Sequence, residues 1–152
     1  SRLPRSGGRW RERRSMAEEV RLTAEGQRAL REAEQLCWRM NVAIEAPEHL
    51  LAGALLVLGE SGTVGLPDRT RIEEALLLVH GAGAERLREQ VMPSPGARAA
   101  LNHAVRRLRE AGGTDFGARE LALGVIESGE VNPLFYRGLG ISRDELARLI
   151  AR

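Results

Sequence analysis

The residue types able to do chemistry here are few. There are three histidines (His49, His80, His103), one cysteine (Cys37), and two glutamates, Glu48 and Glu120, that follow similar chain breaks. All 23 basic residues are arginine. Without lysine no G-x-x-x-x-G-K-[ST] loop exists, which excludes P-loop ATP hydrolysis. Glu48-His49 does not extend to H-E-x-x-H, and the histidines fall on three different predicted helices. One cysteine cannot build a multi-cysteine zinc site, so no metal and no other cofactor is expected. Cys37 lies on an apolar helical stripe and reads as a buried structural thiol rather than a nucleophile. Nothing points to catalysis, and the chain is expected not to be an enzyme. The two glutamates remain. Each stands in the first turn of a predicted helix, where a carboxylate complements the helix dipole and accepts free N–H groups, for roughly 0.3–1 kcal/mol.

The elements that hold these residues follow a helical period. Thr23 is an N-cap for a helix whose stripe runs Leu30, Ala33, Cys37 and Met40. Pro47 opens a second helix through Leu51, Leu55 and Leu58. A turn-rich break at Gly59–Pro67 precedes a third, capped by Asp68 and ended by Gly81. A short segment, Ala84–Val91, completes this half. Ser94-Pro95 then opens a long helix through Leu101, Ala104 and Leu108, ended by Gly112-Gly113. Further helices are expected near Ala118–Ser128 and Val131–Gly138, and a last one is capped by Ser142 with Glu145 and runs to Ile150. No stretch alternates with period two, so no sheet is expected.

The halves repeat. LTAEGQRALREA (Leu22–Ala33) matches PSPGARAALNHA (Pro93–Ala104) at an offset of 71. PEHLLAGAL (Pro47–Leu55) aligns with REL-ALGVI (Arg119–Ile126) when Glu48 is set on Glu120, an offset of 72. Gly81 and Leu87 meet Gly140 and Leu146 at 59, which implies about thirteen extra residues at the Gly59–Arg71 break. The reading is all-α, with two pseudo-symmetric repeats of about four helices each, packed together because neither can bury its apolar face alone. Repeat 1 covers about 22–91 and repeat 2 about 93–150, within a domain of 16–152.

These residues resemble the N-terminal repeat domain of ClpA- and ClpC-type AAA+ unfoldases, over Leu22–Ile150. The resemblance rests on T-x-x-x-Q-x-x-L at Thr23–Leu30, EHLL at Glu48–Leu51, and the closing LGISRDELARLI. The second repeat has drifted further, with REL in place of EHL. It implies a non-catalytic, all-helical module that binds protein substrates or adaptors of an unfoldase or docks onto the unfoldase or its protease, here without the ATPase modules. It also implies a sharper role for the glutamates. In ClpC-type relatives the matching glutamates, with the hydroxyl residue opening the preceding helix, hold phosphorylated arginine. Carried over, the sites are Thr23 with Glu48 and Ser94 with Glu120. Helix capping and phosphoarginine binding both remain open for these residues.

Trp38 and Arg39 lie off the apolar stripe and form a candidate interface. Charge supplies the rival reading. Residues 1–15 carry six arginines against one acid, while the remaining residues carry a net −3. The basic segment reads as a disordered arm, or as a cloning remnant ahead of a natural start at Met16. A nucleic-acid-associated helical regulator would use this arm, with Arg106, Arg107 and Arg109. Outside residues 1–15, nucleic acid is not an expected partner. The lone cysteine, the lack of a signal sequence and of an apolar run long enough for a membrane span make a cytoplasmic location the expectation. The chain is expected to be a fragment of a longer unfoldase or an independent accessory protein.

Overall fold

The computed structural model describes residues 20–152. The expected disordered arm, residues 1–15, and Met16 lie outside them. Seven helices are described: α1 (Ala24–Arg39), α2 (Pro47–Glu60), α3 (Arg69–His80), α4 (Pro95–Glu110), α5 (Ala118–Ser128), α6 (Pro133–Leu139) and α7 (Arg143–Ala151). Local side chains start most of them. Thr23, Asp68, Ser94, Asn132 and Ser142 each accept a backbone N–H of the first turn, as N-caps do. The first half has three helices and the second four. Residues 81–91 run without a helix. That segment offers no Ser, Thr, Asp or Asn as a cap, whereas Ser142 caps α7.

Helix α2 is buried from Pro47 through Leu58, on every face, and α5 from Leu121 through Ile126. Helices apolar all round belong at the centre of a bundle. Accordingly α2 and α5 pack on each other, with α1 against α2, α4 against α5, and α3 against α6 across the two halves. The amphipathic α1 and α4 turn Ala29, Leu30, Ala33 and Ala100, Leu101, Ala104 inward.

The backbone corrects the expectation of no sheet. Four two-residue strands form two parallel pairs: β1 (Arg21–Leu22) with β4 (Asp115–Phe116), and β2 (Ile44–Glu45) with β3 (Met92–Pro93). Each strand is the extended lead-in to a helix N-cap, and two residues are too few to show a period. Each pair takes one strand from each half.

The repeat register also differs from the one read in the sequence. Thr23 and Ser94, β1 and β3, β2 and β4, and the first residues of α2 and α5 all correspond at 71. The offset of 72 read from the glutamates is not the structural one. Glu48 therefore corresponds to Arg119, and His49 to Glu120. The extra length of the first half is twelve residues and is spread out. Helix α2 has 14 residues against 11 in α5, α3 has 12 against 7 in α6, and the loop 61–68 is longer than 129–132. Helix α2 runs through Gly59 instead of ending there.

Gly53 and Gly124 occupy matching places. A methyl on Gly53 would stand 2.4 Å from the Ala29 carbonyl oxygen and 2.7 Å from the Ala33 nitrogen; one on Gly124 would stand 2.2 Å from the Ala104 Cβ. Gly53→Ala should therefore destabilise the domain by about 3 kcal/mol or prevent folding, as overpacking against backbone does. Gly59, with nothing within 4 Å of an added methyl, should give the opposite sign. Gly59→Ala is expected to add about 0.5–1 kcal/mol. Urea unfolding of both variants checks the pair.

Candidate functional site

Two pseudo-symmetric places bring helix N-termini together. At the first, Thr23 opens α1 beside the start of α5. Its N–H donates to the Phe116 carbonyl (3.1 Å) and its Oγ1 accepts from Gly26 N (3.0 Å). A methyl on Gly117 would lie 3.1 Å from Thr23 Oγ1 and 3.2 Å from Glu120 Oε1. At the second, Ser94 opens α4 beside the start of α2; its N–H donates to the Glu45 carbonyl (2.8 Å) and its Oγ accepts from Ala97 N (3.0 Å). The pairing is thus crossed relative to the one read from the sequence. Thr23 faces the Glu120 helix start, and Ser94 faces the Glu48 helix start. The parallel strand pairs cause the crossing, because each joins the lead-in of one half to the lead-in of the other.

The glutamates differ in their surroundings. Glu120 Oε1 accepts the Gly117 N–H at 2.9 Å, closing the first turn of α5, while its side chain stays 24% exposed. Its neighbour Arg119 keeps Nη1 3.7 Å from Glu120 Oε2 and donates to the Ile150 and Ala151 carbonyls (3.1 and 2.9 Å) at the end of α7. Glu48 is shut in, with its side chain 4% exposed. Oε1 accepts from His80 Nε2 at 2.7 Å, and Oε2 accepts from the Asn132 N–H at 2.6 Å. Burial pushes the Glu48 carboxyl up, but the bonds from His80 and Asn132 outweigh it and hold the group below its ordinary value. One carboxylate therefore ties the start of α2 to the end of α3 and to the start of α6, in the other half.

His49 takes the structural place that Glu120 has in the second half. Its Nδ1 accepts the Ala46 N–H at 2.9 Å, so the neutral ring carries its proton on Nε2. That buried Nε2 has no hydrogen-bond partner, and the ring stacks on His80 with centroids 4.8 Å apart. Sequence spacing hid this cluster, since His80 and Asn132 lie 32 and 84 residues from Glu48. Among the described residues no group of three or more His, Cys, Asp or Glu could hold a metal ion, and no helix is long and apolar enough to cross a membrane.

Other expected residues are placed as follows. Cys37 is buried. Trp38 is 37% exposed. Arg39 lies between Glu32 (3.9 Å) and Glu73 (3.7 Å), which Arg69 also bridges, so the four charges join α1 to α3. Arg107 donates to Glu127 at 2.8 Å, which interrupts a basic face on α4.

An all-α double repeat with this order of helices is the architecture of Clp N-terminal domains, and comparison with solved structures agrees. The N-terminal domain of the caseinolytic protease associated chaperone ClpD from Arabidopsis thaliana is similar over 88% of this chain and 96% of its own, with a TM-score of 0.65 and 14% identity. The Hsp104 N-terminal domain from Candida albicans is similar over 86% and 89%, with a TM-score of 0.62 and 15% identity. No family model and no curated protein matches the sequence.

Two outcomes follow from the buried cluster. Burial, then the positive charge His80 can carry, pulls His49 down to about 4, against an opposing pull from Glu48. The unfolded chain then binds the extra proton below about pH 6.5, so His49 stabilises fully above that value and loses its contribution as pH falls toward 4. Between pH 7.5 and 5 the loss should be roughly 2 kcal/mol. Thermal unfolding at the two values measures it, and His49→Gln, which keeps an acceptor at the cap, should flatten that part of the slope. Glu48→Ala should destabilise by about 3 kcal/mol, since it strands a partly buried N–H and a histidine. Glu120→Ala, on a half-open cap, should cost about 1 kcal/mol.

Proposed function

We propose that the chain is a non-catalytic protein-interaction module. It binds protein substrates or adaptors for a Clp-type AAA+ unfoldase–protease system, or docks onto that machinery. The observation that carries this reading is the match of the whole double repeat, nearly end to end, to N-terminal domains of ClpD and Hsp104. The half-exposed Trp38 beside Arg39 supplies a rigid aromatic contact of the kind that anchors protein interfaces.

Within this reading, Thr23 and Glu120 form the open place for a phosphoarginine side chain. A carboxylate oxygen pairs with guanidinium, while the α1 and α5 N-termini favour phosphate. At the corresponding second place Ser94 faces the start of α2, where His49 stands in the position of Glu120 and Glu48 is closed off by His80 and Asn132. The nucleic-acid reading loses ground on α4, where Glu127 engages Arg107. Calorimetry with free phosphoarginine should give heat with the native chain and none with Glu120→Ala. Glu48→Ala should bind as the native chain does while unfolding at a lower temperature. No heat with the native chain would sink the phosphoarginine reading. Binding to a purified Clp-type unfoldase or its adaptor, weakened by Trp38→Ala, tests the wider reading; no binding to either would overturn it.

A further inference from the structure

The longer connection of the first half shapes a groove of about 490 Å³ between the loop before α3 and the α6–α7 turn. Leu66, Leu139 and Ile141 give it an apolar floor. Asp68, Glu74 and Glu145 give it three carboxylates against one cation, Arg71, among its described lining residues. Asp68 is engaged as the cap of α3, accepting from Arg71 N at 2.9 Å. The cap of α7 is Ser142, which leaves Glu145 outside that role. Glu74 and Glu145 are both exposed and form no ion pair with another described residue. Two carboxylates at the groove therefore stand without a countercharge.

The surface continues beyond Glu74. Arg71, Glu74 and Leu78 stand at i, i+3 and i+7, so the face of α3 that walls the groove carries Leu78 about 10 Å further along its axis. A methyl on Gly138 would lie 2.9 Å from Ala75 Cβ and 3.4 Å from Leu78 Cδ2, which sets α6 against this face. Leu134 stands one turn before Gly138 on α6. Leu77, Leu78 and Leu134 are left 46%, 55% and 38% exposed. Three leucines open to water on one helix pair form a patch, unlike the single apolar residues that dot any surface. The α3–α6 seam is thus an acidic groove at one end and a leucine strip at the other. Helices and turns alone build it, with no strand edge to receive an extended peptide.

We infer that this seam docks an amphipathic helix of a partner protein, with the helix's apolar stripe on Leu77, Leu78 and Leu134 and its lysines or arginines over Glu74 and Glu145. A helix laid in a groove offers anchors at i, i+3 or i+4 and i+7, and strip and groove together match roughly two to three turns. Charge sets the direction. Arg137 is exposed on α6 three residues from Leu134, so the partner's basic residues belong at the groove end and not at the leucine end. The inference rests on the reading of the chain as a protein-interaction module and supplies the chemistry of one partner. Neither Thr23 nor Glu120 takes part.

Two synthetic helices of about 14 residues test this, each with leucines at i, i+3, i+4 and i+7. One carries lysines at one end, and the other carries glutamates there. Titrated into the full nitrogen-15-labelled chain, the lysine helix should shift the amides of Leu78, Leu134, Gly140 and Ile141. It should bind about tenfold tighter than the glutamate helix. Glu74→Arg/Glu145→Arg should reverse that preference, while Glu110→Arg on α4 should leave it unchanged. Leu78→Ser should weaken the lysine helix about tenfold and keep the far-UV spectrum of the native chain. No binding of the lysine helix, equal binding of the two helices, or shifts confined to another face would overturn the inference. Binding of the purified unfoldase or its adaptor to the same sample would then leave the wider reading standing. Sedimentation should show a monomer up to about 200 µM. A dimer that Leu78→Ser dissociates would also overturn the inference, because a second copy would then be the occupant.

Discussion

Where α1 crosses α2 and where α4 crosses α5, the helix backbones approach so closely that Gly53 and Gly124 have no space for even a methyl group. The rest of the arrangement depends on those two approaches. They set how deep α2 and α5 sit, and only helices apolar on nearly every face can occupy that depth. They also place the lead-ins of the long helices side by side. The short parallel strands follow from that placement, since four extended N-cap approaches have unpaired N–H and C=O groups to satisfy. The candidate sites lie at those same approaches.

The two halves then diverge in how they use equivalent positions. In the second, Glu120 closes its helix start and stays within reach of solvent, and Arg119 stitches α5 to the end of α7. In the first, a histidine does the closing, and the preceding glutamate turns inward to hold His80 and Asn132. One repeat has become the joint between halves, and the other has kept an open helix start. A duplicated unit lets such duties separate, because each copy can commit the same position to a different contact.

Much of the fold was legible because helix caps are local. Thr23, Asp68, Ser94 and Ser142 each sit within three residues of the N–H they accept, and apolar spacing marks the faces between them. The register was harder. Matching Glu48 to Glu120 by residue type moved the alignment by one, when the glycines at 53 and 124 and the alanines at 33 and 104 already stood 71 apart. Steric fit at a helix crossing outweighs the identity of a carboxylate in a helix's first turn. The strands were too short to leave a pattern. The Glu48–His80–Asn132 cluster left none either, because its members meet only once α2, α3 and α6 have packed.

The exchange of strands between halves has a consequence for synthesis. A chain emerging from the ribosome presents Arg21–Leu22 and Ile44–Glu45 long before Asp115–Phe116 and Met92–Pro93 exist to receive them. Glu48 likewise waits for Asn132 before one of its oxygens has its donor. The first repeat must therefore wait, unfinished, for the second, and the domain completes itself late and as a whole.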